Sequence, residues 1–210
     1  MRKTLLGAVV LALLLAGCTA EPSPPVAAPV ASGVPSAQVT ATSGLGAAPG
    51  PSGALDGKRQ LLLLPRVDDI QLPDSVLAVI ASGRVQVIDD YVDRALFVPV
   101  PRGGGSPERL IKTATLRGDG KPLCLEVHGD GAEPLTVVTA ACDAGAAGQL
   151  FTFEAAAEDA EGRATYAVRN RDAFLQWHPM GDFGLVAEKL GDSPLKTTFS
   201  LQDQGPAALS

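Results

Sequence analysis

Few residues in this chain have the chemistry needed for catalysis or metal binding. It contains three cysteines and two histidines, and Cys124 and Cys142 are 18 positions apart with His128 between them. These three side chains could converge on a metal ion, but that site would need reduced thiols and a fourth ligand. The Gly-x-Ser-x-Gly and His-Glu-x-x-His patterns of hydrolases are absent from the sequence. We therefore predict no cofactor, no resident metal and no enzymatic activity, with an extracytoplasmic hydrolase as the least favoured alternative.

Charge and aromatic content restrict the partners and the organisation of the chain. The formal net charge is −6, with 17 Lys and Arg against 23 Asp and Glu. Because proteins that bind nucleic acid present a basic face, we predict no nucleic-acid partner. Hydrophobic residues make up 46% of the chain and aromatic residues only 4%, and no aromatic residue precedes Tyr91. The chain is therefore not one uniform globular domain.

The first 17 residues have the pattern of an export signal. Arg2 and Lys3 form a positive start, and the following apolar run is too short for a comfortable membrane-spanning helix. Leu15-Ala16-Gly17-Cys18 resembles the lipobox of bacterial lipoproteins, although an ordinary secretory signal with an incidental cysteine remains the alternative. The resemblance implies that Cys18 is acylated and that the protein is exported and anchored to the outer face of the cell membrane.

Residues 18–55 have the composition of a disordered tether. Between residues 19 and 55 there are seven prolines, a single charged residue and no aromatic residue. Such a segment cannot bury enough apolar surface to offset its chain entropy. We predict a tethered domain at residues 56–204 and a short tail at residues 205–210.

The domain has the pattern of an all-β fold. Short apolar runs, many of them β-branched, alternate with Gly, Pro and Asp, which is typical of strands joined by turns. The twelve predicted strands are Gln60–Leu64, Val76–Ala81, Arg84–Ile88, Leu96–Val100, Leu110–Leu116, Cys124–Val127, Leu135–Ala140, Leu150–Glu154, Thr165–Arg169, Phe174–Trp177, Leu185–Glu188 and Thr198–Leu201.

These strands fall into three sets of four with the same order of features. In each set a Gly closes a hairpin, an Asp opens a turn, and a Phe follows that Asp: Phe97, Phe151 and Phe199. A fixed order with a period near 50 residues indicates internal repeats. We predict a β-trefoil whose repeats span about 58–101, 108–155 and 164–203, with one Phe of each repeat in the core.

The middle repeat resembles the ricin-type β-trefoil lectins. The residues that carry the resemblance are Leu123-Cys124-Leu125-Glu126-Val127, Cys142-Asp143 and Gln149-Leu150-Phe151. The resemblance implies a disulfide between Cys124 and Cys142, which would fit an oxidising compartment. It also implies a saccharide or envelope glycan as the ligand.

The resemblance places candidate ligand-binding residues in two repeats. In the second repeat it indicates Glu126 and Gln149, although the ring expected within residues 137–141 is missing. In the third repeat Gln176 takes the position of the acidic residue, and Trp177 and Asp182 lie close in sequence. Trp177 is either a stacking surface or a core residue. The first repeat offers no polar group at the matching strand.

The leading hypothesis is a monomeric, membrane-anchored binding module of the β-trefoil class. The alternative is a protein-binding or inhibitor-like trefoil that has lost its sugar sites, and the missing ring of the second repeat motivates it. His128 and His178 are predicted to be exposed turn residues that follow strands.

Overall fold

The computed structural model describes residues 51–67, 75–115, 119–129, 134–179 and 184–208. These residues belong to one compact unit, Leu45–Ser210. The expectations for the export signal, for Cys18, for most of the tether and for Asp182 lie outside the described residues. Among the described residues, no helix is long and apolar enough to cross a membrane.

Twelve strands form within the described residues, one at each predicted place but with shifted ends. They are β1 (Arg59–Val67), β2 (Val76–Val79), β3 (Val85–Ile88), β4 (Phe97–Pro101), β5 (Arg109–Thr113), β6 (Leu123–His128), β7 (Leu135–Ala141), β8 (Thr152–Ala155), β9 (Thr165–Asn170), β10 (Ala173–His178), β11 (Gly184–Glu188) and β12 (Thr197–Pro206). One helical turn, α1 (Pro51–Ala54), and two short 3-10 turns, Asp93–Ala95 and Ala147–Gln149, complete the elements. The predicted all-β class is confirmed.

Six of the strands pair in a ring. β1 pairs with β4, β4 with β5, β8 with β9, β9 with β12, and β12 returns to β1, all antiparallel. A bridge between Arg109 and Phe151, with hydrogen bonds of 2.8 and 2.9 Å, joins β5 to the start of β8. Because the ring closes, these six strands leave no free sheet edge. The other six strands form the hairpins β2–β3, β6–β7 and β10–β11.

The core lies inside this ring and under the hairpins. Phe97, Phe151 and Phe199 are fully buried and belong to one apolar cluster, as expected from their spacing. Since successive strand residues point to opposite faces, the alternate residues of β1 enter a second, smaller cluster outside the ring. That outer cluster comprises Leu62, Leu64, Val76, Ala78 and Ala95.

Packing at the two ends of the domain differs in detail from the sequence expectation. Ala54 and Leu55, expected in the tether, are buried, and Ala54 belongs to the main core. The Arg109 side chain donates a hydrogen bond of 2.9 Å from Nε to the Leu55 carbonyl. At the other end β12 continues to Pro206, and the Ala207 N–H donates to the Lys58 carbonyl. The packed domain therefore includes Ala54 and Leu55 of the expected tether and extends into the expected tail.

Three aspartates have a pKa below the ordinary value, namely Asp159, Asp172 and Asp203, and the first and last of these are largely enclosed by the protein. Burial alone would raise the pKa of Asp159, but hydrogen bonds from Arg163 and the charges of Arg163 and Arg66 hold that pKa below its ordinary value. Burial likewise opposes ionisation of Asp203, but hydrogen bonds from Arg59 and the Gly205 N–H lower its pKa. Both carboxylates therefore act as structural anions.

Candidate functional site

The connection between β3 and β4 presents the most exposed aromatic ring among the described residues. Tyr91 is 49% exposed and is the only large hydrophobic side chain in the described part of the chain to be so open. Its position follows from its neighbours, because Ala95 and Phe97 are fully buried and fix the inward side of this segment. Tyr91 and Asp93 are consequently left on the outward side.

Tyr91 forms one wall of a surface groove, which we call the Tyr91 groove. Its volume is about 320 Å³, at the lower end of the range for ligand pockets. Three stretches of chain supply the lining, namely β1, the β3–β4 connection and β12. The lining residues are Leu62, Tyr91, Val92, Asp93, Leu96, Gln202 and Gln204.

The floor of the groove is apolar and its rim is polar. Leu62 is buried in the outer cluster, and Val92 and Leu96 pack against the same cluster. Gln202 and Gln204 are exposed, since they alternate along β12 with the partly buried Leu201 and Asp203. The groove thus combines a packed hydrophobic surface with two side-chain amides that can each donate and accept hydrogen bonds.

Backbone contacts hold the rim in place. The Asp93 carbonyl accepts a hydrogen bond of 3.0 Å from Thr115 Oγ1 and one of 3.3 Å from the Leu96 N–H. On the opposite side, Gln60 Nε2 donates to the Gln204 carbonyl at 3.2 Å. The Asp93 carboxylate itself forms no hydrogen bond or ion pair with any described residue, so both of its oxygens are available as acceptors.

The chemistry of this arrangement suits a ligand with an apolar face and several hydroxyl groups. An exposed ring can cover the apolar face, a carboxylate accepts strong hydrogen bonds, and the amides complete a directional rim. Sequence reasoning missed this site, because no motif marks it. The exposed tyrosine three residues after the end of β3 was the one available signal.

The residues predicted in the second repeat do come together, but one of them is enclosed. Gln149 is 1% exposed, and its amide donates to Glu126 Oε2 at 2.8 Å and to the Ala141 carbonyl at 2.9 Å. Its carbonyl oxygen accepts from the Asp143 N–H at 2.8 Å. Glu126 is partly exposed, and its other oxygen lies 3.8 Å from His128 Nδ1. In this conformation Gln149 presents no polar atom to solvent.

The residues predicted in the third repeat are arranged in the same way. Gln176 is 2% exposed, and its side-chain carbonyl accepts from the N–H groups of Lys196 and Thr197, both at 3.2 Å. Trp177 is partly buried and packs against the main core, while its backbone N–H donates to Thr197 Oγ1. The fifth predicted ligand-binding residue, Asp182, lies outside the described residues.

The expectation for the histidines is only partly met. His128 is exposed but ends strand β6, and His178 ends β10 instead of lying in a turn. His178 Nε2 lies 2.9 Å from Glu188 Oε1 on the neighbouring strand β11. The turn prediction is therefore wrong for both residues, because each strand continues one residue beyond the expected end.

The two cysteines of the middle repeat form a disulfide, as the family resemblance implied. Cys124 and Cys142 have an S–S distance of 2.11 Å and a Cα–Cα distance of 4.9 Å. This bond removes both thiolates from the alternative metal site with His128. Elsewhere in the described part of the chain, no three His, Cys, Asp or Glu side chains come together as metal ligands.

Comparisons with known proteins identify the fold. The chain is similar to the β-trefoil BEL, with a TM-score of 0.50 and 15% identity over 70% of this chain and 94% of that chain. It is also similar to the Polyporus squamosus lectin bound to Neu5Aca2-6Galb1-4GlcNAc, with a TM-score of 0.51 and 14% identity. This match covers 70% of our chain and 50% of that lectin, so the chain corresponds to half of the lectin's length.

These similarities concern structure alone. The chain has the β-trefoil fold, which it shares with BEL and with the Polyporus squamosus lectin. No protein-family model matches the sequence, and no curated protein matches it either.

Proposed function

We propose that this chain is a carbohydrate-binding module and that the Tyr91 groove is its binding site. The observation that carries this proposal is the exposed Tyr91 ring beside the exposed Asp93 carboxylate and the amides of Gln202 and Gln204. The β-trefoil lectins with the same fold support the ligand class. The domain acts by binding and not by catalysis.

The scaffold of this module is a β-trefoil of three four-stranded repeats. In each repeat the first and last strands belong to the ring, and the two middle strands form a hairpin. Leu77, Leu125 and Leu175 hold one equivalent position in the three hairpins, and all three are fully buried. The three core phenylalanines hold a second equivalent position.

The module is held at the cell surface by a lipid on Cys18, through the tether that follows it. The lipobox-like Leu15-Ala16-Gly17-Cys18 and the proline-rich composition of residues 19–50 support this part of the proposal. Replacing Cys18 with Ser should move the full-length protein from the membrane fraction to the soluble fraction. Retention of the variant in membranes would contradict the lipid anchor.

A binding assay with groove variants tests the proposed function. A glycan array identifies the bound saccharide, and calorimetry then compares the wild type with Tyr91→Ala. We expect at least tenfold weaker binding, which corresponds to about 1.4 kcal/mol, because the stacking ring is lost. Tyr91→Phe retains the ring and should bind within a few-fold of the wild type.

The competing location is the site predicted in the third repeat. Trp177→Leu removes the aromatic ring but keeps an apolar side chain against the core, and it is the matched control at that location. If this variant loses binding while Tyr91→Ala does not, the ligand binds in the third repeat. If no saccharide binds the wild type, the carbohydrate-binding function is wrong.

A protein-binding trefoil is the second candidate. The observation that favours it is the internal use of Gln149 and Gln176, whose polar atoms bond to the protein itself. Specific capture of one protein partner, without binding to any saccharide, would favour this candidate.

A further inference from the structure

We propose that the Tyr91 groove selects an uncharged sugar of one or two rings and rejects the sialylated or sulphated form of the same sugar. This inference rests on the proposed carbohydrate-binding function and names its ligand class. It concerns a groove outside the positions that the family resemblance indicated.

The charge around the groove carries the argument. Of the lining residues that the structure describes, Asp93 is the only one with an ionisable acidic or basic side chain apart from the phenol of Tyr91, and it is exposed and forms no ion pair with a described residue. Asp89 and Asp90 are exposed in the same connection, which adds to the negative potential. The nearest cation along the chain, Arg94, does not line the groove.

Asp203, the acidic residue of β12, adds less than Asp93 to the negative potential of the groove. Asp203 lies between Gln202 and Gln204 and therefore points to the opposite face of the strand. Arg59 Nε donates to both of its carboxylate oxygens, at 3.0 and 2.8 Å. Within the described part of the chain, the charge that a ligand meets in the groove is consequently that of Asp93.

An anionic sugar would find no compensating group here. Among the described residues the lining contains no Lys, Arg or His, so a sulphate or carboxylate would lose hydration without gaining an ion pair from them. A neutral sugar can instead place its C–H face on Tyr91 and Leu96. Its hydroxyl groups can donate to the Asp93 carboxylate and exchange hydrogen bonds with the amides.

The size of the groove limits the length of the bound sugar. About 320 Å³ is the lower end of the range for small-molecule pockets. A longer glycan would therefore bind through one terminal disaccharide, with the remainder in solvent.

The test is an array on which each neutral disaccharide is printed beside its sialylated or sulphated form, probed with the full-length chain. Like charges about 5 Å apart near a protein surface reduce affinity by about tenfold or more, so we expect at least that preference for the neutral member. Raising the salt concentration from about 0.05 M to about 0.5 M should narrow the preference, because salt screens exposed charges.

Two variants assign the preference to Asp93. In Asp93→Asn the affinities for the neutral and the anionic member of a pair should differ by no more than about threefold. Asp90→Asn removes the same charge beside the groove without changing its lining, and it should leave most of the preference intact.

The outcomes separate this inference from the proposed function. If the wild type favours the anionic member of each pair and Tyr91→Ala loses binding, the charge selection is wrong but the carbohydrate-binding function is retained. An equal preference in the wild type and Asp93→Asn would also overturn it. Absence of binding to every saccharide overturns both.

Discussion

The replacement of Gln176 by Met separates hydrogen bonding from packing at a buried position of the third hairpin. Methionine fills nearly the same volume but offers no strong acceptor to the Lys196 and Thr197 N–H groups. Lys196 is exposed, so its N–H can bond to water, whereas Thr197 is fully buried and its N–H would lose its partner. The variant also removes the hydrogen bond of 2.8 Å from Gln176 Nε2 to the Leu175 carbonyl, but the Thr197 N–H is the one buried donor that it leaves without a partner.

The magnitude follows from that count. A buried donor without a partner costs about 1–3 kcal/mol, so we expect a loss of about 2 kcal/mol in the free energy of unfolding. For a domain of this size the loss corresponds to a decrease of about 4–8 °C in Tm. Gln176→Ala leaves a cavity as well and should lose about a further 1–2 kcal/mol.

Equilibrium urea unfolding measures this effect directly. Trp177 is the only tryptophan of the chain and lies beside the altered residue, so its fluorescence reports unfolding of this hairpin. Far-UV circular dichroism checks that the whole domain unfolds in the same transition. Gln86→Met is the matched control, because Gln86 lies on hairpin strand β3 and makes no hydrogen bond through its side chain to any described residue.

The control should change stability by less than about 0.5 kcal/mol. If Gln176→Met changes the free energy of unfolding as little as the control does, the buried hydrogen bonds of Gln176 do not stabilise the domain and the prediction is refuted. Because Gln176 is enclosed, neither Met variant should alter saccharide binding at the Tyr91 groove.

Three further predictions concern stability. Replacing both Cys124 and Cys142 with Ser should lower the unfolding free energy by about 3 kcal/mol in urea titrations, and an unchanged midpoint would contradict a stabilising disulfide. Because the pKa of Asp159 is lowered in the folded protein, its ionised carboxylate contributes fully to the free energy of unfolding above its unfolded-state pKa near 4. That contribution is lost as pH falls through the lower folded-state pKa. Asp159→Asn should therefore be less stable than the wild type at pH 7 but should lose less stability than the wild type between pH 5 and pH 2. If the stabilities of the two proteins fall in parallel over this pH range, the prediction is wrong. A chain that starts at Asp56 should be about 2 kcal/mol less stable than one that starts at Pro51, because it lacks the buried Leu55; equal Tm values would show that this packing contributes nothing.

The core was predictable from the sequence because its signal is local and repeated. Phe97, Phe151 and Phe199 each follow a turn at a similar distance, and burial of large rings dominates core energetics. The strand positions followed from short apolar runs between glycines and aspartates. The ends of the strands were less predictable, as the histidines that close β6 and β10 demonstrate, because cross-strand pairing decides where a strand stops.

Residue type alone could not predict that Gln149 and Gln176 form hydrogen bonds inside the protein. The residue after the hairpin leucine is Ala78, Glu126 or Gln176, and the residue two before the core phenylalanine is Ala95, Gln149 or Thr197. In the second pair Gln149 bonds to Glu126, and in the third Gln176 bonds to the Thr197 N–H. In the first, two alanines share the outer apolar cluster. An apolar pair and a satisfied polar pair are both stable solutions, whereas a mixed pair leaves a buried group unsatisfied.

The Tyr91 groove was not predictable because its parts are remote in sequence. Leu62 on β1 and Gln202 on β12 are directly paired across the two strands, yet 140 residues separate them. The β3–β4 connection that carries Tyr91 leads into β4, which pairs with β1 through Leu61 and Phe97 and so brings the connection beside this seam. The groove therefore exists only when the first and last strands of the ring are joined, since neither strand carries both the floor and the rim. Ligand binding at this place consequently reports the joining of β1 to β12 and to β4, whereas the fluorescence of Trp177 reports one hairpin.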